Sequence, residues 1–569
     1  MGRPSVNIQF SKAIMTFEYL KDDTIPSRMV LRVARRRLFA VSGVGIVTLI
    51  CLYYYITLEP PAPNVLANTE SSLNGTSSPS TSAAVEERSH ESCEVVLTHT
   101  ADTDTTDVFQ TLDMAPAWME RREYWSSDME DRFQRRKPMW GRLPLKVIVM
   151  PHSHTDPGWL KTMEGYFATA TKNIINNAVN KLTEHKNMTF ILTEMSFLSM
   201  WWEAAPQDMR IKLRDLLSSG RLEIPTGGWV MTDEANVDLF SMIDQLVEGH
   251  GFLREEFDVR PKASWSVDSF GHGGTFPHLL AKAGIDSMVI MRVHFAWKEW
   301  FARNQAGEFL WKQPWEEDGS QAPLCHNFPY DIYSIKHSCG PHPQTCLGFD
   351  FRHVQGEYNE FSAAYTPIDA ANLQTRAELL LEQYGRTGSL LPHNVVLVPL
   401  GDDFRYNLPD EFDQQYKNYL QIMQYINSND YHAEVSFGTL SDYFKAVRER
   451  QSKFATLSGD FFVYSDIFSE GQPAYWSGYF STRPFIKLLS RQVNLKHDRA
   501  MIASICRSPA SSVQQRYFSP WPQTLPEVEI PQVCHSRFSR LSTKSWSRLA
   551  GTSDFSSITT RLPARVKAS

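Results

Sequence analysis

Between Leu145 and Asp403 one local pattern keeps returning: a short apolar run that ends abruptly in polar, charged or aromatic residues. LKVIVM runs into PHSHTDPGW, TFILTE into a Trp-rich helix start, and RLEIP into TGGW. ASWSV, SMVIM and NVVLVPL end in DSFGH, RVH and GDDF. Short runs with this β-branched content read as strands buried on both faces, as in a parallel sheet. The segments between them have a different period. TKNIINNAVNKLTEH sets Ile175, Ala178, Val179 and Leu182 on one helical face. AANLQTRAELLLEQY does the same with Leu373, Ala377, Leu380 and Tyr384. Alternating strands and helices predict an α/β domain with a parallel, (β/α) barrel-like sheet. Ligands bind such sheets where the strands end. His, Asp, Trp and Arg gather in this chain at those places.

The first residues set the expected compartment. Leu38 to Leu58 is a run of 21 residues without a charge, long enough to cross a bilayer as a helix. Arg28, Arg32, Arg35, Arg36 and Arg37 precede it and Glu59 follows. The positive-inside rule puts residues 1–37 in the cytoplasm and the remainder in the lumen. A cleaved signal peptide fits less well, because the apolar run starts late and exceeds the usual apolar core. The reading is a single-pass type II membrane protein. Residues 59–140 lack sustained periodicity, and NTESSLNGTSSPSTSAAVEERS is too polar to bury a core, so the span reads as a flexible luminal stem. Asn74 and Asn187 head glycosylation sequons. The formal net charge of −7 gives no reason to expect nucleic acid as a partner. Seven cysteines in 569 residues make no disulfide scaffold. Cys339 and Cys346 fit either a small disulfide-closed loop in an oxidising compartment or two buried thiols.

Within the domain, His154 and Asp156 form an H-x-D pair at a strand end. Two residues apart in extended chain, their side chains point the same way, so one metal ion can take both. An isolated H-x-D is ordinarily a loop histidine beside a capping aspartate. The turn Pro157-Gly158-Trp159 after it favours a site, with Trp159 offering a flat apolar face to a sugar ring. Asp268 lies at a second strand end, and Asp402 and Asp403 at a third. Glycoside hydrolysis needs two carboxyl groups flanking one bond. One of Asp402 and Asp403 is expected to cap the following turn through its side chain.

PHSHTDPGW, TGGWVMTDEAN, ASWSVDSFGHGGTFPHLL, MVIMRVH, HSCGP, VPLGDDFRYN and SGDFFVYSD…YWSGYFSTRP together resemble the catalytic domain of family 38 α-mannosidases. The likeness runs from about Leu145 to about Ile505, and the DPGW form and the anchor favour the Golgi type over the lysosomal one. It implies that His154, Asp156 and Asp268 ligate zinc, that Asp268 is also the nucleophile, and that Asp403 is the general acid/base. Trp159, Arg292, Tyr333 and Asp402 would line the mannose pocket. The implied function is zinc-dependent, retaining trimming of α-linked mannose from N-linked, GlcNAc-bearing glycans in the Golgi lumen. The implied organisation is a tail (1–37), an anchor (38–58), a stem (59–140), a catalytic domain (141–505) and a divergent tail (506–569). The family's later HHD-type segment, whose His completes the zinc site, is not found. His497-Asp498 and His535 do not sit in that motif. The alternative function is therefore an inactive glycan-binding pseudoenzyme, and a weaker one is a metal-dependent deacetylase.

Overall fold

Every residue but Lys146 is buried in β2 (Leu145–His154), the strand on which the site is built. The computed structural model describes residues 101–114, 125–315, 321–356, 364–466 and 473–505, all within the unit Cys93–Ser569. The run Leu38–Leu58, Asn74, His535 and the tail 506–569 lie outside the described residues, as do the side chains of His497 and Asp498. No helix among the described residues is long and apolar enough to cross a membrane.

β2 pairs in parallel, from Lys146 to His154, with the whole of β9 (Val395–Asp403). It also pairs in parallel with β10 (Ala433–Phe437) and, at His152, with β3 (Phe190–Ile191). β4 (Leu222–Glu223) continues that five-stranded sheet beyond β3. A second sheet has six strands. It contains β5 (Ala263–Ser266), β6 (Ser287–Ile290), β8 (Leu324–Asn327), β7 (Glu308–Trp311), β11 (Ala455–Ser458) and β1 (Thr103–Asp104), in that order. Its pairs are parallel except β7 with β8. Thr226 joins the sheets: its N–H donates to the Ala263 carbonyl at 2.8 Å, and its hydroxyl accepts from Trp265 N–H at 2.9 Å. The expected parallel α/β architecture is present, as two sheets meeting edge to edge. A short antiparallel hairpin, β12 (Ser465–Asp466) with β13 (Ala474–Tyr475), stands apart.

The two helices read from periodicity form with the faces assigned to them. Lys172–Glu184 buries Ile175, Ala178, Val179 and Leu182, and Leu373–Ser389 buries Ala377, Leu380 and Tyr384. Each large apolar side chain so removed from water contributes about 1.5–3 kcal/mol before the cost of ordering it. Part of the span 59–140 belongs to the domain rather than to a stem. β1 adds to the sheet edge, and the helix Ser127–Arg136 inserts Phe133 against Trp140 and Tyr384 in the core. Its buried residues are too sparse to produce a periodic signal, and only the distant partners make them core. Cys339 and Cys346 are joined by a disulfide.

Gly401 explains how closely β2 and β9 can lie. A Cβ there would fall 1.9 Å from the His152 carbonyl oxygen. Only a residue without a side chain allows this approach, which sets Ser153 opposite Asp402 and His154 opposite Asp403.

Candidate active site

The H-x-D pair sits at the end of β2 as its spacing predicts. His154 is 1% exposed, and its Nε2 lies 3.2 Å from Asp156 Oδ1 and 3.1 Å from Asp268 Oδ2. Thr155, between the two, donates its hydroxyl to Glu194 at 2.7 Å and fixes the strand end. Asp268 arrives from the other sheet, two residues past β5. One ligand atom from each of His154, Asp156 and Asp268 lies within 4.8 Å of the others. An imidazole nitrogen with two carboxylate oxygens is a donor set that suits a divalent first-row metal ion. Burial alone would push the His154 pKa down, but the Asp156 and Asp268 carboxylates outweigh it and hold it well above the usual histidine value. A second possible group, Glu184, His185 and Asp413, is more exposed, and Lys181 already reaches Asp413 at 2.8 Å. It acts as an ion-pair staple between two helices.

Arg292 is 6% exposed and sits behind Asp268, donating Nε to Asp268 Oδ1 at 2.5 Å and Nη1 to the Tyr464 hydroxyl at 3.2 Å. Its guanidinium lies 4.5 Å from the Trp476 ring centroid, with Tyr464 at 5.7 Å and Phe270 at 5.9 Å. This aromatic cage and the buried ion pair fix the rotamer of Asp268. Behind it, Glu234 accepts from Gly273 N–H at 2.8 Å and pairs with His272 Nδ1 at 3.1 Å, closing the loop after β5. Gly271 has φ +119°, and a Cβ there would strike the Phe462 ring at 2.3 Å.

β9 delivers the other two carboxylates. Asp402 turns its Oδ1 onto the N–H of its neighbour Asp403 at 2.9 Å, a contact inside β9 rather than a cap on the following turn. Burial and the neighbouring Asp403 raise its pKa to about 6. Asp403 is exposed at the strand end and accepts from the Tyr333 hydroxyl at 2.8 Å. Tyr333 is 2% exposed, and its ring centroid lies 5.1 Å from that of His154. Burial and the charges of Asp268 and Asp403 keep its phenol protonated. His152 donates Nε2–H to the Tyr333 carbonyl at 3.1 Å, and burial lowers its pKa to about 3, so it is neutral. Trp159 lies on the loop beyond Asp156, 56% exposed.

The contacts thus tie His154 to Asp156 and Asp268, Asp268 to Arg292, and Tyr333 and Asp402 to Asp403. His152, Phe270, Tyr464, Trp476, Glu234 and His272 carry no distinguishing pattern of their own in the sequence. All six lie inside the motif blocks quoted above, and only the packing shows which way each points.

Residues 144–467 match the Glycosyl hydrolases family 38 N-terminal domain. The chain belongs to glycosyl hydrolase family 38. It is 51% identical over 409 residues to Alpha-mannosidase 2 of Spodoptera frugiperda, covering 72% of this chain and 36% of that protein. It is 44% identical over 363 residues to Alpha-mannosidase 2 of Homo sapiens, covering 62% and 31%. This family 38 chain therefore spans about a third of the length of the curated relatives it matches. Among solved structures, an alpha-mannosidase from Enterococcus faecalis aligns with TM-score 0.40 and 15% identity, over 56% of this chain and 31% of that one.

Proposed function

We propose that this chain is the catalytic part of a zinc-dependent, retaining α-mannosidase that trims α-linked mannose from N-linked glycans in the Golgi lumen. One observation carries the reading: His154, Asp156 and Asp268 converge from two sheets beside the strand end that bears Asp403. The names of the relatives support mannose as the sugar. The Leu38–Leu58 run and the sequons support a luminal domain on a single-pass Golgi membrane anchor.

In this reading His154, Asp156 and Asp268 would hold a zinc ion, which when bound would supply Lewis-acid stabilisation of developing charge and would orient sugar hydroxyls. Asp268, held by Arg292, attacks the anomeric carbon as the glycosidic C–O bond breaks. Asp403, aimed by Tyr333, gives its proton to the departing oxygen, so the glycan leaves as an alcohol and Asp268 becomes a glycosyl ester. Asp403 then takes a proton from water, whose oxygen displaces Asp268 and restores the carboxylate. The α configuration is retained after two inversions. Trp159 packs on the ring, and Asp402 supports Asp403 through its backbone N–H.

The test is zinc content and mannose release measured in one preparation of the whole chain. Stoichiometric zinc with turnover abolished by Asp268→Ala supports the enzyme. Folded protein that binds mannosides without releasing mannose overturns it in favour of a glycan-binding pseudoenzyme.

A further inference from the structure

The turn just beyond the Asp402–Asp403 pair carries unusual backbone. Phe404 has φ +50° and Tyr406 has φ +65°, both left-handed and both bulky aromatics. Such residues persist only where their surroundings over-determine them, and they concentrate at sites that need a fixed geometry. Here Arg405, between the two, supplies the restraint. Its guanidinium donates Nη1 to Asp350 Oδ2 and Nη2 to Asp350 Oδ1, each at 2.8 Å, and Nε to Glu411 Oε1 at 2.5 Å. The other Glu411 oxygen accepts the Tyr406 N–H at 2.7 Å, and Gln415 donates to Asp350 at 2.8 Å. Asp350 is 1% exposed and Glu411 2%. The cluster therefore binds the end of β9 to the loop beyond the Cys339–Cys346 disulfide and to the helix Pro409–Ser428. The turn also grips the metal-side strand, because Phe404 N–H donates to the His154 carbonyl at 2.8 Å.

We infer that Arg405 is a positioning residue for the general acid: through Asp350 and Glu411 it locks the left-handed turn that aims Asp403 at the leaving-group oxygen. The inference rests on the reading of Asp403 as the acid. A bidentate, buried fork is a geometry that lysine does not reproduce.

The test uses the whole chain with Arg405→Lys, Asp350→Asn and Asp403→Asn. Each is assayed on a mannoside with a strongly acidic leaving group, such as dinitrophenol, and on an alkyl mannoside whose departure needs a proton. Arg405→Lys and Asp350→Asn should lower kcat/KM at least about tenfold more on the alkyl mannoside, following Asp403→Asn but less severely. Equal losses on both substrates would make Arg405 merely structural and overturn the inference. Asp403→Asn without leaving-group dependence would instead overturn the acid assignment. Amide exchange gives a readout that needs no turnover. Arg405→Lys should speed exchange of the Asp403 and Phe404 amides at least about tenfold, with the middle of Pro409–Ser428 unchanged. Unaltered exchange at those two amides would also overturn the inference. Asp350→Asn gives the same two readouts should Arg405→Lys fail to fold.

Discussion

Tyr333 donates its hydroxyl to Asp403 across 2.8 Å, from the loop after β8 to the end of β9. This joins the two sheets at the site. A hydrogen bond to a charged group is worth about 1.5–3 kcal/mol. Tyr333→Phe keeps the ring that packs near His154 and deletes only the hydroxyl. It should lower kcat/KM on alkyl mannosides about 10- to 100-fold. The thermal unfolding temperature should fall by about 2–5 °C at most, with the fold intact. A kinetic change below about threefold would mean that Tyr333 does not orient Asp403.

Metal affinity should rise with pH. Burial disfavours the His154 cation, yet Asp156 and Asp268 outweigh it and hold the pKa well above 6.5 in the metal-free chain. Metal binding must then expel that proton. Titration of the apo protein with zinc should show affinity climbing about tenfold per pH unit through neutrality, with about one proton released per ion. His154→Ala should abolish both the binding and the rise in unfolding temperature that saturating metal produces.

Asp402 makes a pH-dependent contribution to stability of definite sign. Burial, and then the Asp403 charge, raise its pKa from 3.8 to about 6. A carboxyl raised in the folded state stabilises it below the unfolded pKa and loses that contribution as pH rises through the folded one. The chain should therefore lose stability between about pH 4 and 6, by on the order of 3 kcal/mol from this residue. Asp402→Asn retains an oxygen for the Asp403 N–H and removes the titration. Denaturant unfolding of both proteins at pH 4.5 and 7.5 should show a flatter profile for the variant. Parallel profiles would place the titrating group elsewhere.

Gly401→Ala should destabilise the fold itself. The new Cβ would sit 1.9 Å from the His152 carbonyl, backbone against backbone, where no rotamer change relieves it. The cost should be at least about 3 kcal/mol, the severe end of overpacking. Unfolding temperature and zinc retention should fall together, because the same contact sets His154 opposite Asp403. An intact Tm with lost metal would contradict this coupling.

The elements and most of their ends are written in local residue patterns. Apolar runs such as LKVIVM and NVVLVPL fix buried strands, because burying both faces leaves little choice of residue. The abrupt polar endings of those runs place His154, Asp156, Asp268, Asp402 and Asp403 at or just past strand ends. How these groups meet depends on long-range packing. The β2–β9 register, permitted by Gly401, brings Asp403 beside His154 over 249 residues of chain, and periodicity has no term for that distance. The family resemblance implies that Arg292 lines the pocket, and packing against Trp476, Tyr464 and Phe270 turns it onto Asp268. Phe133 and Trp140 become core only because Tyr384 meets them there. Local patterns specify each element's own face, whereas partners far along the chain are chosen by packing and by the pairing of buried charge.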